Sequence, residues 1–234
     1  MANLFANVTE KKARPLPVFI LADDSGSMSE HGKADSLKKA LQDMIVSFKD
    51  ASKSSLEAEI YVSVITFGNN QANVAQEPAA ANTVAEPENM QKLLSAFRTS
   101  GSTPLGMALN NLTNMMENKD IYPSRAYRPF FILASDGMPN DNWEEELKRF
   151  KDSERAKKGT RLALAIGPDA SKDMLEKFID NPEIPVFSAN NANEIRKFFK
   201  CVTMSIIKSS ISATPGQIIA PTDIFSDNDD IFED

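Results

Sequence analysis

A chain of 234 residues, 41% of them hydrophobic, is long enough for one large domain with a full core. Its formal net charge of −7, with no basic cluster beyond Lys11-Lys12 and Lys157-Lys158, argues against a nucleic-acid partner. The single cysteine, Cys201, excludes an internal disulfide. No run approaches the roughly 18 apolar residues of a membrane span, and residues 1–14 lack a signal-peptide core. A cytoplasmic protein with no membrane partner is therefore expected.

Residues 1–14 read as an N-terminal extension. Val18-Phe19-Ile20-Leu21-Ala22, entered through Pro15 and Pro17, is a continuous apolar run of the kind found in strands buried on both faces of a parallel sheet. It ends in Asp23-Asp24-Ser25-Gly26-Ser27-Met28. Asp23, Ser25 and Ser27 alternate, so their oxygens can converge around a bend that Gly26 permits. Hard oxygen donors without His or Cys suit Mg²⁺ or Mn²⁺ rather than zinc, although a polar turn capping a helix would carry similar residues. The only histidine, His31, sits in a Ser/Glu/Gly loop and reads as a solvent-exposed side chain. Leu37, Ala40, Leu41, Met44, Ile45 and Phe48 then mark one apolar face of a long helix.

Ile60 to Phe67 is β-branched and aromatic, a second strand. Gly68-Asn69-Asn70 is hairpin chemistry leading to a short antiparallel edge strand near Val74. A polar, Ala-rich linker is expected from there to Pro87, which opens a short helix marked by Met90, Leu93, Leu94 and Phe97. Thr99-Ser100-Gly101-Ser102-Thr103-Pro104 is a second hydroxyl-rich loop before a helix carrying Leu105, Ala108, Leu109, Leu112 and Met116. Its hydroxyls read equally as helix caps or as ligands. Lys119 to Arg128 is a loop.

Phe130-Phe131-Ile132-Leu133-Ala134 repeats the pattern of the first strand and ends in Ser135-Asp136-Gly137-Met138-Pro139-Asn140-Asp141. Trp143, Leu147 and Phe150 give a helix; Arg161 to Gly167, a strand; Met174, Leu175 and Phe178, a helix; Val186-Phe187, a last strand. Ile195, Phe198, Phe199 and Val202 begin a final helix running to about Lys208, with Cys201 as a small buried hydrophobe on it. This alternation predicts an α/β fold: a doubly wound, mostly parallel central sheet with one antiparallel edge strand and helices on both faces. The domain is expected over 15–210, followed by an acidic tail over 211–234 expected to be disordered. From Pro221 the tail holds six acidic residues and no basic one, leaving −1 for the rest of the chain. Asp223-Ile224-Phe225 recurs there as Asp230-Ile231-Phe232, either a solubilising end or a peptide that docks a partner or a neighbouring copy.

Together these residues resemble the von Willebrand factor A (VWA) domain and its metal-ion-dependent adhesion site (MIDAS). The family's D-x-S-x-S element matches Asp23, Ser25 and Ser27; its loop threonine matches Thr103; its distant aspartate matches Asp136. The likeness covers roughly Leu16 to Ile207. Leu16-Pro17-Val18, Val62 to Phe67, Gly137 to Asp141 and Ala165 to Asp169 are most similar to the cytosolic, tellurium-resistance and stress-operon (TerY-like) group. Asp24 stands where many relatives carry an uncharged residue, which implies a more negative site.

The resemblance implies a binding module, not an enzyme. Asp23, Ser25, Ser27, Thr103 and Asp136 would hold Mg²⁺ (or Mn²⁺) and leave one position for the Asp or Glu carboxylate of a protein partner. A Mg²⁺-dependent phosphoryl-transfer or receiver-like enzyme is the first alternative, since Asp23-Asp24 resembles a receiver's acidic pair. Against it, no Asp ends the second strand and no phosphate-binding loop occurs. A scaffold with a purely structural metal is the second.

Overall fold

The computed structural model describes residues 13–52 and 58–212, so nearly all of the expected N-terminal extension and acidic tail, with both Asp-Ile-Phe repeats, lie outside the described residues. The strands are β1 (Arg14–Asp23), β2 (Ala58–Gly68), β3 (Gln71–Ala80), β4 (Phe130–Ser135), β5 (Thr160–Ile166) and β6 (Phe187–Ala189). They form one sheet in the order β3-β2-β1-β4-β5-β6. Every neighbouring pair is parallel except β2 with β3. The expected mostly parallel sheet with one antiparallel edge is thus observed. Val18 to Ala22 of β1 and Phe130 to Ala134 of β4 are each at most 1% exposed, which is why neither strand alternates polar with apolar residues.

The helices are α1 (Lys33–Ser52), α2 (Ala81–Val84), α3 (Pro87–Ser95), α4 (Leu105–Met116), α5 (Trp143–Asp152), α6 (Glu154–Lys158), α7 (Lys172–Ile179) and α8 (Ala192–Ile211). From β1 the chain winds outward to β2 and later, in the other direction, through β4, β5 and β6. Right-handed crossovers therefore place α1 on one face of the sheet and α4, α5 and α7 on the other. Phe19 of β1 stacks on Phe131 of β4, Phe131 meets Phe150 of α5 edge-on, and Phe150 stacks on Phe178 of α7. α8 packs back against α1. All six apolar residues expected on α1 are buried, as are Ile195, Phe198, Phe199, Cys201 and Val202 on α8.

One expectation fails at the sheet edge. The Ala-rich segment expected as a linker continues β3 to Ala80 and then turns into α2. The pairing with β2 shifts register on either side of Val64, and Pro78 falls in the irregular stretch. An edge strand exposed along one side, rich in Ala and interrupted by Pro, has no apolar period to announce it. The hairpin reading of Asn69-Asn70 holds: both residues are left-handed, with φ of 48° and 59°.

Candidate metal-binding site at the crest of the sheet

The sheet reverses its winding at β1 and β4, and open α/β sheets bind ligands in the crevice above such a point. Asp23 ends β1 there and is fully buried. Its Oδ1 accepts the Ser25 backbone N–H at 2.9 Å, and its Oδ2 accepts the Ser135 hydroxyl at 2.5 Å. Ser135 is the last residue of β4, so this hydroxyl ties the ends of the two central strands together. Burial pushes the Asp23 carboxyl up to about 6, with the Asp136 charge adding to the rise and the Ser135 and Ser25 hydrogen bonds opposing it.

Ser25 Oγ lies 3.1 Å from Ser27 Oγ, and Ser27 Oγ donates to Asp136 Oδ1 at 2.7 Å. Thr103 arrives on the separate loop before α4. A Cβ at Gly137 would stand 3.8 Å from Thr103 Oγ1 and 4.0 Å from Ser27 Oγ, so both hydroxyls face one small space. Thr103 is 7% exposed, and among the described residues its Oγ1 has no hydrogen-bond partner. Asp23, Ser25, Ser27, Thr103 and Asp136 are thus brought together from three loops. His31, by contrast, is exposed, as expected.

The second carboxylate of the acidic pair behaves differently from the expectation. Asp24 does not join Asp23 in a more negative site. Its carboxylate turns to the loop after α3, accepting the backbone N–H of Arg98 at 2.5 Å, that of Thr99 at 2.7 Å and the Thr99 hydroxyl at 2.7 Å. Successive side chains along extended backbone point to opposite sides, so adjacent aspartates at a strand end diverge. A receiver-like pair needs both carboxylates on one ion, and this geometry does not supply them.

Backbone bonds lace the loops together. Ser100 N–H donates to Asp24 O, Gly26 N–H to Gly101 O and Asn69 N–H to Ser100 O. Gly101 has φ of +64°, and a Cβ there would lie 2.8 Å from the Asn69 Cα, so glycine is required twice over.

Three partners escape a reading of the sequence. Asn140 Oδ1 accepts the Thr103 N–H at 3.1 Å, and Asn140 N–H donates to Thr103 O at 3.2 Å. Asp141 Oδ1 and Oδ2 accept the N–H groups of Gly106 and Met107, both at 3.0 Å, and so cap α4 from a loop 35 residues away. The cap therefore comes from neither Thr103 nor Pro104, although Thr-Pro before a helix suggested one. Lys33 Nζ lies 2.8 Å from Asp136 Oδ2. Its one sequence signal is a lysine opening a helix, where the dipole disfavours a cation unless an anion holds it.

The donors are hydroxyls and carboxylates only. Among the described residues no group of three or more His, Cys, Asp or Glu side chains is placed to hold a metal. The cluster instead mixes two carboxylates with three hydroxyls, a set of hard, compact oxygens that fits a small divalent ion.

The sequence profile of the von Willebrand factor type A domain matches residues 18–200. The chain belongs to the VWA family. No curated protein matches it. Among solved structures, the SpaC pilus adhesin of Lactobacillus rhamnosus GG superposes with a TM-score of 0.69 at 16% identity, covering 86% of this chain and 31% of the adhesin. Proximal thread matrix protein 1 of the mussel byssus, in a structure with a zinc-occupied MIDAS motif, gives 0.64 at 20% identity over 84% of this chain and 48% of that one. A von Willebrand factor type A protein from Catenulispora acidiphila gives 0.62 at 20% identity, over 82% and 42%. This VWA chain thus spans less than half the length of each of these three proteins. Among the described residues no helix is long and apolar enough to cross a membrane.

Proposed function

We propose that this VWA protein is a metal-dependent protein-binding module. Asp23, Ser25, Ser27, Thr103 and Asp136 would hold Mg²⁺ or Mn²⁺, and the bound ion would supply a Lewis-acidic position for an Asp or Glu carboxylate of a protein partner. The observation that carries this reading is the convergence of the Ser27 and Thr103 hydroxyls on one space, beside Asp136, with the Thr103 oxygen unpartnered among the described residues.

The residues divide the work. Asp23 and Asp136 supply negative charge, the hydroxyls supply neutral oxygens, and Ser135 and the Ser25 N–H fix the Asp23 carboxylate. Hydroxyl-rich ligation leaves an ion less neutralised than a carboxylate cage would, and so open to an outside anion. Met107 and Met138, 51% and 68% exposed, stand on the α4 entrance and the β4 loop, beside the two loops that bring Thr103 and Asp136. Exposed methionines suit an adaptable contact surface around a charged anchor. The setting we favour is a bacterial stress or tellurium-resistance system in the cytoplasm, on the sequence stretches that resemble that group.

Thermal melts test the reading. In millimolar Mg²⁺ or Mn²⁺ the protein should gain stability over EDTA, by about 2.7 kcal/mol at a hundredfold excess over Kd. A partner captured in Mg²⁺ should be released by EDTA. Identical melts in all three buffers, together with EDTA-resistant capture, would overturn it.

A further inference from the structure

Lys33 is a cation built into the candidate site, and its position there is specific. It is the first residue of α1, a helix of 20 residues, where the helix dipole repels positive charge. Its side chain is only 14% exposed, and the Asp136 carboxylate it meets at 2.8 Å is fully buried. Gly167, at the end of β5 with φ of +82°, leaves it room: a Cβ there would stand 3.4 Å from Lys33 Cε and 3.5 Å from Nζ. The lysine therefore lies over bare backbone rather than reaching into solvent.

The two oxygens of Asp136 are divided. Oδ2 takes Lys33, and Oδ1 takes Ser27 on the side where the hydroxyls gather. Asp24 is committed to the Arg98–Thr99 backbone, so the charges within the cluster are Asp23, Asp136 and Lys33. Without the lysine, two carboxylates would neutralise a divalent ion. With it, the loaded site retains a positive charge.

We propose that Lys33 is a positioning and charge-setting residue: it holds Asp136 with Oδ1 turned to the serine hydroxyls, and its ammonium keeps the loaded site net positive, weakening metal affinity while strengthening the hold on an anionic partner. This rests on the metal-binding reading above and adds to its hydroxyl-rich ligation a second cause for preferring carboxylate ligands, a fixed cation beside the ion. Groups that hydrogen-bond a ligand from outside the metal's own shell alter affinity by about 10–100-fold, and here the charge term opposes the metal.

The test compares wild type with Lys33→Met and Lys33→Arg. Mn²⁺ affinity is read by calorimetry, and acetate is then titrated into the Mn²⁺-loaded proteins while water proton relaxation reports displaced water. Lys33→Met should bind Mn²⁺ about tenfold or more tightly, bind acetate more weakly, and melt lower in EDTA because Asp136 is left buried without its cation. Lys33→Arg should stay close to wild type in all three. Mn²⁺ affinity that is unchanged or lower in Lys33→Met would overturn the charge role. Tighter Mn²⁺ with unchanged acetate binding would reduce the lysine to a competitor for Asp136 and overturn it equally. Should Lys33→Met fail to fold, Lys33→Gln gives the same comparison. Absence of Mn²⁺ binding by the wild type itself would overturn the underlying metal reading instead, so the two failures are distinguishable.

Discussion

Two loops flank the Asp23–Ser27 turn, and they are held by opposite means. The loop over Arg98–Thr103 is held by backbone: Asp24 accepts two N–H groups and a hydroxyl from it, and main-chain bonds tie Ser100 and Gly101 to the first loop. The loop over Ser135–Asp141 is held by side chains: Ser135 bonds Asp23, Asp136 bonds Ser27 and Lys33, and Asp141 caps α4. A carboxylate surrounded by backbone donors cannot be released without exposing them, so Asp24 is an architectural residue. Asp136 faces only a hydroxyl and an ammonium and can exchange partners, while Asp23, with one backbone N–H and one hydroxyl, stands between the two cases.

Removing the architectural anion should have the largest effect. Asp24→Ala leaves three donors of the Arg98–Thr99 segment without their acceptor, and we expect a loss of about 3 kcal/mol, roughly 6–12 °C in Tm, with or without metal. A melt within 2 °C of wild type would place the two loops on an equal footing.

Its neighbour should behave oppositely. With its carboxyl pushed up to about 6 in the folded protein against 3.8 unfolded, Asp23 favours folding most where it is protonated. That stability is fully present below about pH 4 and lost as the pH rises through 6, a swing of up to about 3 kcal/mol. Asp23→Asn, measured without metal, should therefore match wild type near pH 4 and exceed it at pH 7.5, while losing any response to Mg²⁺. In the wild type, protons should compete with the metal, so affinity should fall below pH 6 by up to about tenfold per unit. A flat stability difference between pH 4 and 7.5 would contradict the buried-carboxylate account.

Asp141→Ala removes a cap from α4, and a loss of about 1 kcal/mol is expected, with metal affinity reduced because the Thr103 loop loses its anchor at the helix. Thr103→Val should be smallest in stability, within about 0.5 kcal/mol, because the hydroxyl it removes bonds no described residue. Its effect should appear in metal affinity and in capture of the partner. A large stability loss without a binding loss would show Thr103 to be a framework residue, like Asp24.

The strands at the centre were legible because each depends on local pattern, whereas Asp23, Ser25, Ser27, Thr103 and Asp136 were grouped by their resemblance to the VWA motif, Thr103 reading locally as cap or ligand alike. A strand buried on both faces needs a continuous apolar run, and a ligand loop at its end needs polar residues immediately after it. The outer half of β3 was not legible, since a half-exposed edge strand of Ala, Gln and Pro satisfies its backbone by pairing with β2 and needs no apolar period. The α4 cap was not legible for a related reason. Thr103 and Pro104 have the right local chemistry, but Asp141, brought beside them by the fold, reaches the free N–H groups first.

By itself, then, the sequence determined that the chain is a doubly wound α/β protein and which hydroxyls and carboxylates stand at its strand ends, because burial period and strand-end position act over a few residues. Only the tertiary structure decided which of two adjacent aspartates faces the hydroxyls and that Lys33 shares Asp136. Those outcomes depend on pairings across 74 and 103 residues of chain, and a carboxylate's role is set by the donors that burial leaves within reach, not by its neighbours in sequence.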